Sequence, residues 1–175
     1  MPRNIEIKAS IQHVEVLIHK AAALATEGPF EIDQDDTFFS CESGRLKLRA
    51  SSKYLGELIF YRRANQLGPK ESFYVVSPTS EPDSLRECLT LAYGVAGRVK
   101  KHRTVFLVGR TRVHVDRVEN LGDFLELEVV LTDGETAEAG SLEATELMGM
   151  LGVQQKDLIE DAYVDLLARR GIKVV

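Results

Sequence analysis

Phe124-Leu125-Glu126-Leu127-Glu128-Val129-Val130-Leu131 alternates apolar and acidic side chains. Successive side chains of a strand point to opposite faces, so the stretch reads as a β-strand with one apolar face and one carrying Glu126 and Glu128. Asn4-Ile5-Glu6-Ile7-Lys8 repeats the form, with Ile5 and Ile7 on one side and Asn4, Glu6 and Lys8 on the other. A lone strand of this kind ordinarily turns its charges to water. The remaining strands decide whether these two do.

The chain has 175 residues, 44% of them hydrophobic and 28% charged, and a net charge of −5. That is a globular composition with enough length for a sizeable core, read as a single domain over residues 1–175. The acidic balance argues against a nucleic-acid partner, which would need a basic excess to displace counterions. No apolar run approaches the roughly 18 residues of a membrane span, and Met1-Pro2-Arg3-Asn4 leads directly into a strand pattern, so no membrane partner and a cytoplasmic location are expected. Cys41 and Cys88 lie far apart and form no CxxC. They suggest two reduced thiols, Cys88 packed on a helix, and neither a disulfide framework nor a zinc site.

Turn signals divide the chain into about eight strands and three or four helices. The expected strands are 4–11, 36–40, 45–50, 57–63, 71–76, 98–108, 111–118 and 123–131. Val14, Leu17, Ala21 and Leu24 recur at helical spacing, and Gly28-Pro29 ends that helix. Ser80-Glu81-Pro82-Asp83 starts a second helix with Leu85, Leu89 and Ala92 as its apolar stripe. Ser141 reads as the cap of a third, running through Leu147 and Leu151, and Leu158, Ile159, Ala162, Tyr163, Leu166 and Leu167 mark a last one before Gly171. This order predicts an α+β fold, a mainly antiparallel sheet with helices on its apolar side.

Read with period two, nearly every strand has one charged face. Lys47 and Arg49 oppose Leu46 and Leu48; Lys70 shares a parity with Ser72 and Tyr74; Lys101 shares one with Arg103. Arg112, His114 and Asp116 oppose Val113 and Val115, while strand 57–63 offers Arg62 or Arg63. The signs are sorted, basic through the middle of the chain and acidic at Glu6, Asp116, Glu126 and Glu128. A solvated face would mix them across neighbours, because like charges on adjacent strands repel. Eight strands suffice for a barrel that holds a small ligand, and a closed sheet covered outside by helices must point its charges inward. Unpaired buried charges cost on the order of several kcal/mol each, so such a lumen must stay wet and hold a ligand of complementary charge. Basic walls beside a carboxylate cluster suit a polyphosphate with Mg²⁺ or Mn²⁺.

Asn4-x-Glu6-x-Lys8 resembles the ExExK signature of the CYTH superfamily, the triphosphate tunnel metalloenzymes, which include class IV adenylyl cyclases, thiamine triphosphatases and inorganic tripolyphosphatases. The resemblance continues through Leu46-Lys47-Leu48-Arg49, Tyr61-Arg62-Arg63, Gly68-Pro69-Lys70-Glu71-Ser72-Phe73-Tyr74, Val99-Lys100-Lys101-His102-Arg103, His114-Val115-Asp116 and Tyr163-Val164-Asp165-Leu166-Leu167. It spans essentially the whole chain in order. It implies an eight-stranded antiparallel β-barrel, the triphosphate tunnel, with helices packed outside. A triphosphate-containing small molecule is the expected partner of a monomer or homodimer.

By the same resemblance Glu6, Asp116, Glu126 and Glu128 fall on the metal-binding carboxylates, and Lys8, Lys47, Arg49, Arg63, Lys101 and Arg103, with Lys70, on the phosphate-binding bases. Glu6, Lys8, Arg49, Lys101 and Arg103 form the expected catalytic set. Asn4 departs from the signature: its amide oxygen can ligate a hard cation but brings no charge and cannot act as a base. The implied function is a Mg/Mn-dependent triphosphate hydrolase acting on tripolyphosphate or an organic triphosphate such as thiamine triphosphate. The alternatives are an adenylyl cyclase converting ATP to cyclic AMP and pyrophosphate, toward which His114-x-Asp116 and Leu121-Gly122-x-Phe124 lean, and a non-catalytic polyphosphate- or nucleotide-binding module. His114 reads as a wall residue bonded to Asp116, and Tyr163 as a core residue whose hydroxyl could close one tunnel end.

Overall fold

The computed structural model describes residues 3–172. Its strands are β1 (Arg3–Ser10), β2 (Glu27–Phe39), β3 (Arg45–Ser52), β4 (Leu55–Arg63), β5 (Lys70–Thr79), β6 (Val95–Val108), β7 (Thr111–Val118) and β8 (Gly122–Val130). They close into an antiparallel barrel in the order β1-β5-β4-β3-β2-β6-β7-β8. The helices are α1 (Val14–Leu24), α2 (Pro82–Tyr93), α3 (Ala137–Leu151) and α4 (Tyr163–Arg169). The α+β barrel expected from the alternating strands is therefore the fold.

The main core lies outside the barrel. Ile5, Ile7, Val113, Val115, Leu125, Leu127 and Val129 point outward and pack under Leu17 and Ala21 of α1 and Ala144, Leu147 and Leu151 of α3. Full burial of each large aliphatic side chain is worth about 1.5–3 kcal/mol. Gly140 lets α3 approach β1, since a Cβ there would sit 2.7 Å from Cγ1 of Ile5. A second cluster joins Phe38, Val99, Val118 and Phe124 to Tyr163, Val164 and Leu167 of α4. With the outer faces of β1, β7 and β8 committed to the main core, the alternate residues, Glu126 and Glu128 among them, face the lumen, and the second cluster closes one end of that lumen under α4, where Phe38, Val99 and Tyr163 line the cavity.

Several boundaries differ from the sequence reading. β2 starts nine residues before the expected 36, because Glu31, Asp33 and Asp35 alternate with Phe30, Ile32 and Gln34 and pair along β6 beside Thr104, His102 and Lys100. Gly28-Pro29 thus lies inside a strand, and α1 already ends at Leu24. The cap of α3 is Thr136, whose hydroxyl accepts from the Ala139 amide, while Ser141 sits within the helix and donates to the Ala137 carbonyl. The expected last helix is shorter: a 3-10 turn at Gln155–Asp157 precedes it, Leu158 and Ile159 are extended, and only α4 is helical. Leu158 bridges to Ala9, and the Ile159 amide donates to the Lys8 carbonyl at 2.9 Å, so the end of β1 captures the segment that helical spacing alone would coil. Cys88 is exposed on α2 instead of packed, since that helix buries only Pro82 fully; both thiols are free. No described helix is long and apolar enough to cross a membrane.

Candidate functional site

Inward-facing residues of all eight strands meet in a cavity of about 250 Å³. Its walls carry Lys8, Lys47, Arg49, Arg63, Lys101, Arg103 and Arg112 against Glu6, Asp36, Glu57, Glu126 and Glu128. Register explains the sorting. Glu6 stands opposite Glu128 and Lys8 opposite Glu126 across β1 and β8, while Lys47 pairs with Ile59 and Arg49 with Glu57 across β3 and β4. The parity left open at Arg62 and Arg63 is resolved: Arg63 faces the lumen, 3.3 Å from Glu6, and Arg62 lies outside on the Ser43 carbonyl.

Three ion-pair groups organise the walls. Asp116 is fully buried and accepts from Arg103 Nε and Nη2, both at 2.6 Å, from Lys101 at 3.0 Å and from the Tyr163 hydroxyl at 2.9 Å. Burial pushes this carboxyl up, but Arg103 and Lys101 outweigh it and hold it well below the usual range. Asp36 accepts from Lys47 at 2.7 Å and from Arg49 at 2.8 and 2.9 Å, and the two bases likewise overcome its burial. Glu126 takes Lys8 at 3.0 Å and also Arg103.

Glu126, Glu128 and His114 offer ligand atoms within 4.8 Å of one another, the only such cation-holding group among the described residues. Burial, with Arg103 nearby, lowers His114 to about 4, so its imidazole is neutral at pH 7; its Nδ1 is buried without a hydrogen bond, 3.9 Å from Glu128. The expected bond from His114 to Asp116 is absent. Two further observations fit a divalent cation here. The Asn4 side-chain oxygen, an acceptor in need of a donor or a cation, is buried without a partner. Burial and then the Glu128 carboxylate raise the pKa of Glu6, which marks negative potential that the nearby bases leave uncancelled. Carboxylate and amide oxygens suit Mg²⁺ or Mn²⁺, and the imidazole is the softer donor of the set.

The structure thus brings Glu6, Lys8, Lys47, Arg49, Arg63, Lys101, Arg103, Glu126 and Glu128 around one cavity. Asp116 is not a member of the cation-holding group, since its oxygens are occupied by two bases and Tyr163. Lys70 is 1% exposed, and its ammonium is held by the carbonyls of Gln66 at 3.1 Å and Glu160 at 3.0 Å. Tyr163 does more than fill core: it lines the cavity, with the Lys8 ammonium 3.9 Å from its ring centroid. Sequence reading missed Asp36, Glu57 and Tyr61 as lining residues, and it placed Arg112 on the inward charged face without giving it a role. Asp36 shares a parity with Phe38 and Gln34, a signal hidden by the misplaced start of β2.

Comparison with curated proteins finds no match. Solved structures share the fold. The PH1012 protein of Pyrococcus horikoshii OT3 superposes with a TM-score of 0.83 at 24% identity, over 93% of this chain and 98% of that one. A candidate adenylate cyclase from Vibrio parahaemolyticus gives 0.73 at 18%, covering 94% and 97% of the two chains. HpAC1 from Hippeastrum, a candidate adenylyl cyclase with a dominant triphosphatase activity, gives 0.67 at 15%, covering 100% and 98%. The family model of the CYTH domain matches residues 2–163, the whole barrel with α1 to α3 and the first residue of α4. By that match, and by the barrel whose lumen carries its signature residues, this chain belongs to the CYTH family.

Proposed function

We propose that the protein is a divalent-metal-dependent hydrolase of triphosphates, taking inorganic tripolyphosphate or an organic triphosphate into the tunnel. The observation that carries this reading is one small cavity in which a cation-holding carboxylate corner faces a wall of lysine and arginine. Its volume of about 250 Å³ lies below the roughly 300–1,000 Å³ of pockets for drug-sized ligands, which favours a compact polyanion over a fully enclosed nucleotide. The dominant triphosphatase activity of HpAC1, similar in fold, lends support.

Lys47, Arg49, Arg63 and Lys8 bind the phosphate oxygens by exchanging their present carboxylate partners for them. Arg103 and Lys101, held in place by Asp116, present charge to the phosphoryl group being transferred. Glu126 and Glu128, with Glu6, Asn4 and His114 beside them, would hold the ion. When bound, a divalent ion neutralises phosphate oxygens and lowers the pKa of an attacking water. Closure of the α4 side by Ala162 and Tyr163 limits solvent near the bound phosphates.

The deciding assay supplies purified protein with Mg²⁺ or Mn²⁺ and offers tripolyphosphate, thiamine triphosphate and ATP, quantifying phosphate, pyrophosphate and cyclic AMP. Phosphate release supports hydrolysis. Cyclic AMP with pyrophosphate from ATP would replace the reading with cyclase chemistry, and no turnover of any compound would replace it with a binding module.

A further inference from the structure

One carboxylate in the tunnel is unlike the rest. Glu6 has Arg63 at 3.3 Å, Asp36 has Lys47 at 2.7 Å, Glu126 has Lys8 at 3.0 Å and Glu128 has Arg112 at 3.0 Å. Glu57 also lines the cavity, yet no base among the described residues forms an ion pair or hydrogen bond with it. Its register neighbour Arg49 spends Nε and Nη2 on Asp36 instead. A phosphate chain is repelled by such a group. A cation or an N–H donor is drawn to it.

The surroundings of Glu57 are also unlike the phosphate walls. Ile59 follows it on the inward face of β4, with Val76 opposite Ile59 and Tyr74 opposite Tyr61 on β5. Val76 lines the cavity and is nevertheless 39% exposed, which places this apolar group at the mouth, away from the α4 closure. Aromatic and aliphatic faces beside an unpaired carboxylate suit a flat, electron-poor ring: the apolar surfaces cover its faces, and the carboxylate accepts its N–H or neutralises its charge.

We infer that Glu57, Ile59, Tyr74 and Val76 form a second subsite at the tunnel mouth for a cationic or amino-bearing heteroaromatic ring attached to the triphosphate, with Glu57 determining specificity. This rests on the triphosphate reading of the tunnel and narrows it to organic substrates. An inorganic chain gains nothing from the subsite, and its terminal charges are disfavoured by Glu57.

The test measures kcat/KM on tripolyphosphate, ATP and thiamine triphosphate, whose thiazolium bears a fixed positive charge, for wild type, Glu57→Gln and Glu57→Lys. Melting curves establish that each variant is folded. Loss of one charge-assisted contact in Glu57→Gln should lower kcat/KM on thiamine triphosphate about tenfold or more, with ATP affected less and tripolyphosphate unchanged or improved. Glu57→Lys should shift selectivity further toward tripolyphosphate. Equal changes on all three substrates, or none, overturn the subsite. Should wild type turn over none of them, the hydrolase reading has failed, and calorimetric Kd values for the same compounds test the subsite separately. Selective weakening of thiamine triphosphate binding by Glu57→Gln then supports it, and unaltered relative affinities overturn it.

Discussion

Asp36→Asn separates what the tunnel carboxylates do for the fold from what the bases do for a ligand. Asp36 is 2% exposed and accepts three hydrogen bonds, one from Lys47 at 2.7 Å and two from Arg49 at 2.8 and 2.9 Å. Burial raises its carboxyl, but Arg49 and Lys47 pull it well below the unfolded value, so its contribution is present at neutral pH and is lost only in acid. Asparagine keeps the size and one acceptor while removing the charge, which leaves two buried cations facing each other. Removing one member of a buried pair costs about 3–5 kcal/mol. The remaining acceptor and the wet lumen place this change near 3. At about 2–4 °C per kcal/mol for a chain of this size, the melting temperature should fall by about 6–12 °C. The same substitution should strengthen anion binding. A unit charge about 4 Å away is worth about 4 kcal/mol at an effective dielectric near 20, and even a third of that tightens tripolyphosphate about tenfold. Thermal unfolding with and without saturating tripolyphosphate, together with calorimetry, checks both effects. The variant should melt lower alone and gain more from the ligand than wild type does. A variant as stable as wild type that binds no more tightly would refute the role given to Asp36.

Glu126→Gln and Glu128→Gln should each abolish turnover with the fold intact by circular dichroism; wild-type rates in both would remove them from the metal site. Burial, with Arg49 adjacent, lowers Lys47 to about 8, so its ammonium is charged at pH 7 and loses charge as pH rises through that value. KM for tripolyphosphate should therefore climb above about pH 8, and Lys47→Arg should move the climb upward because guanidinium stays charged; a flat profile in wild type would contradict this. Gly97→Ala would set a Cβ 2.4 Å from Cγ2 of Val164 and should cost about 1–3 kcal/mol in urea unfolding, much of it recovered when Val164→Ala is added. Amide hydrogen exchange should be faster in β3, β4 and β5 than in β1, β7 and β8, and slowed there by tripolyphosphate.

Strand parity carried most of what was legible in the sequence. Ile5, Ile7, Leu125 and Leu127 alternate with Glu6, Lys8, Glu126 and Glu128, and period two cannot separate the outward face from the inward one without also separating core from tunnel. Barrel closure added the rule that the charged face is the inner one. Legibility failed where local signals opposed tertiary contacts. Gly28-Pro29 reads as a stop, yet β2 runs through it because β6 offers a long partner. Leu158 and Ile159 have helical spacing with Ala162 and Tyr163, yet the edge of β1 takes them as extended chain. Which oxygens remain free for a cation was not legible either. Parity puts Asp116 and Glu126 in the same lumen, but only three-dimensional placement reveals that Arg103, Lys101 and Tyr163 occupy Asp116.

The support beneath the two sides of the tunnel is unequal. Behind Glu6, Glu126 and Glu128 the outer faces of β1 and β8 are sealed by Ile5, Ile7, Leu125, Leu127 and Val129 under α1 and α3. Behind Lys47, Arg49 and Arg63 the cover is thinner: α2 lies against β2, β3 and β4 and Leu48 is fully buried, but β3, β4 and β5 supply no member of either buried cluster, and only Tyr61 packs partly against one. The proposed chemistry makes different demands on the two sides. A divalent ion needs oxygens held at fixed separations, which rigid packing provides, whereas a phosphate chain can be gripped by long side chains whose strands yield a little. The less supported wall also holds its bases through Asp36 and Glu6 and carries the unpaired Glu57 at its mouth. On the proposed function, a polyanion entering there would supply the counter-charge that apolar burial does not, and its binding would tighten that wall. The acidic side, held by the core beneath it, would then be the fixed frame against which the phosphates align.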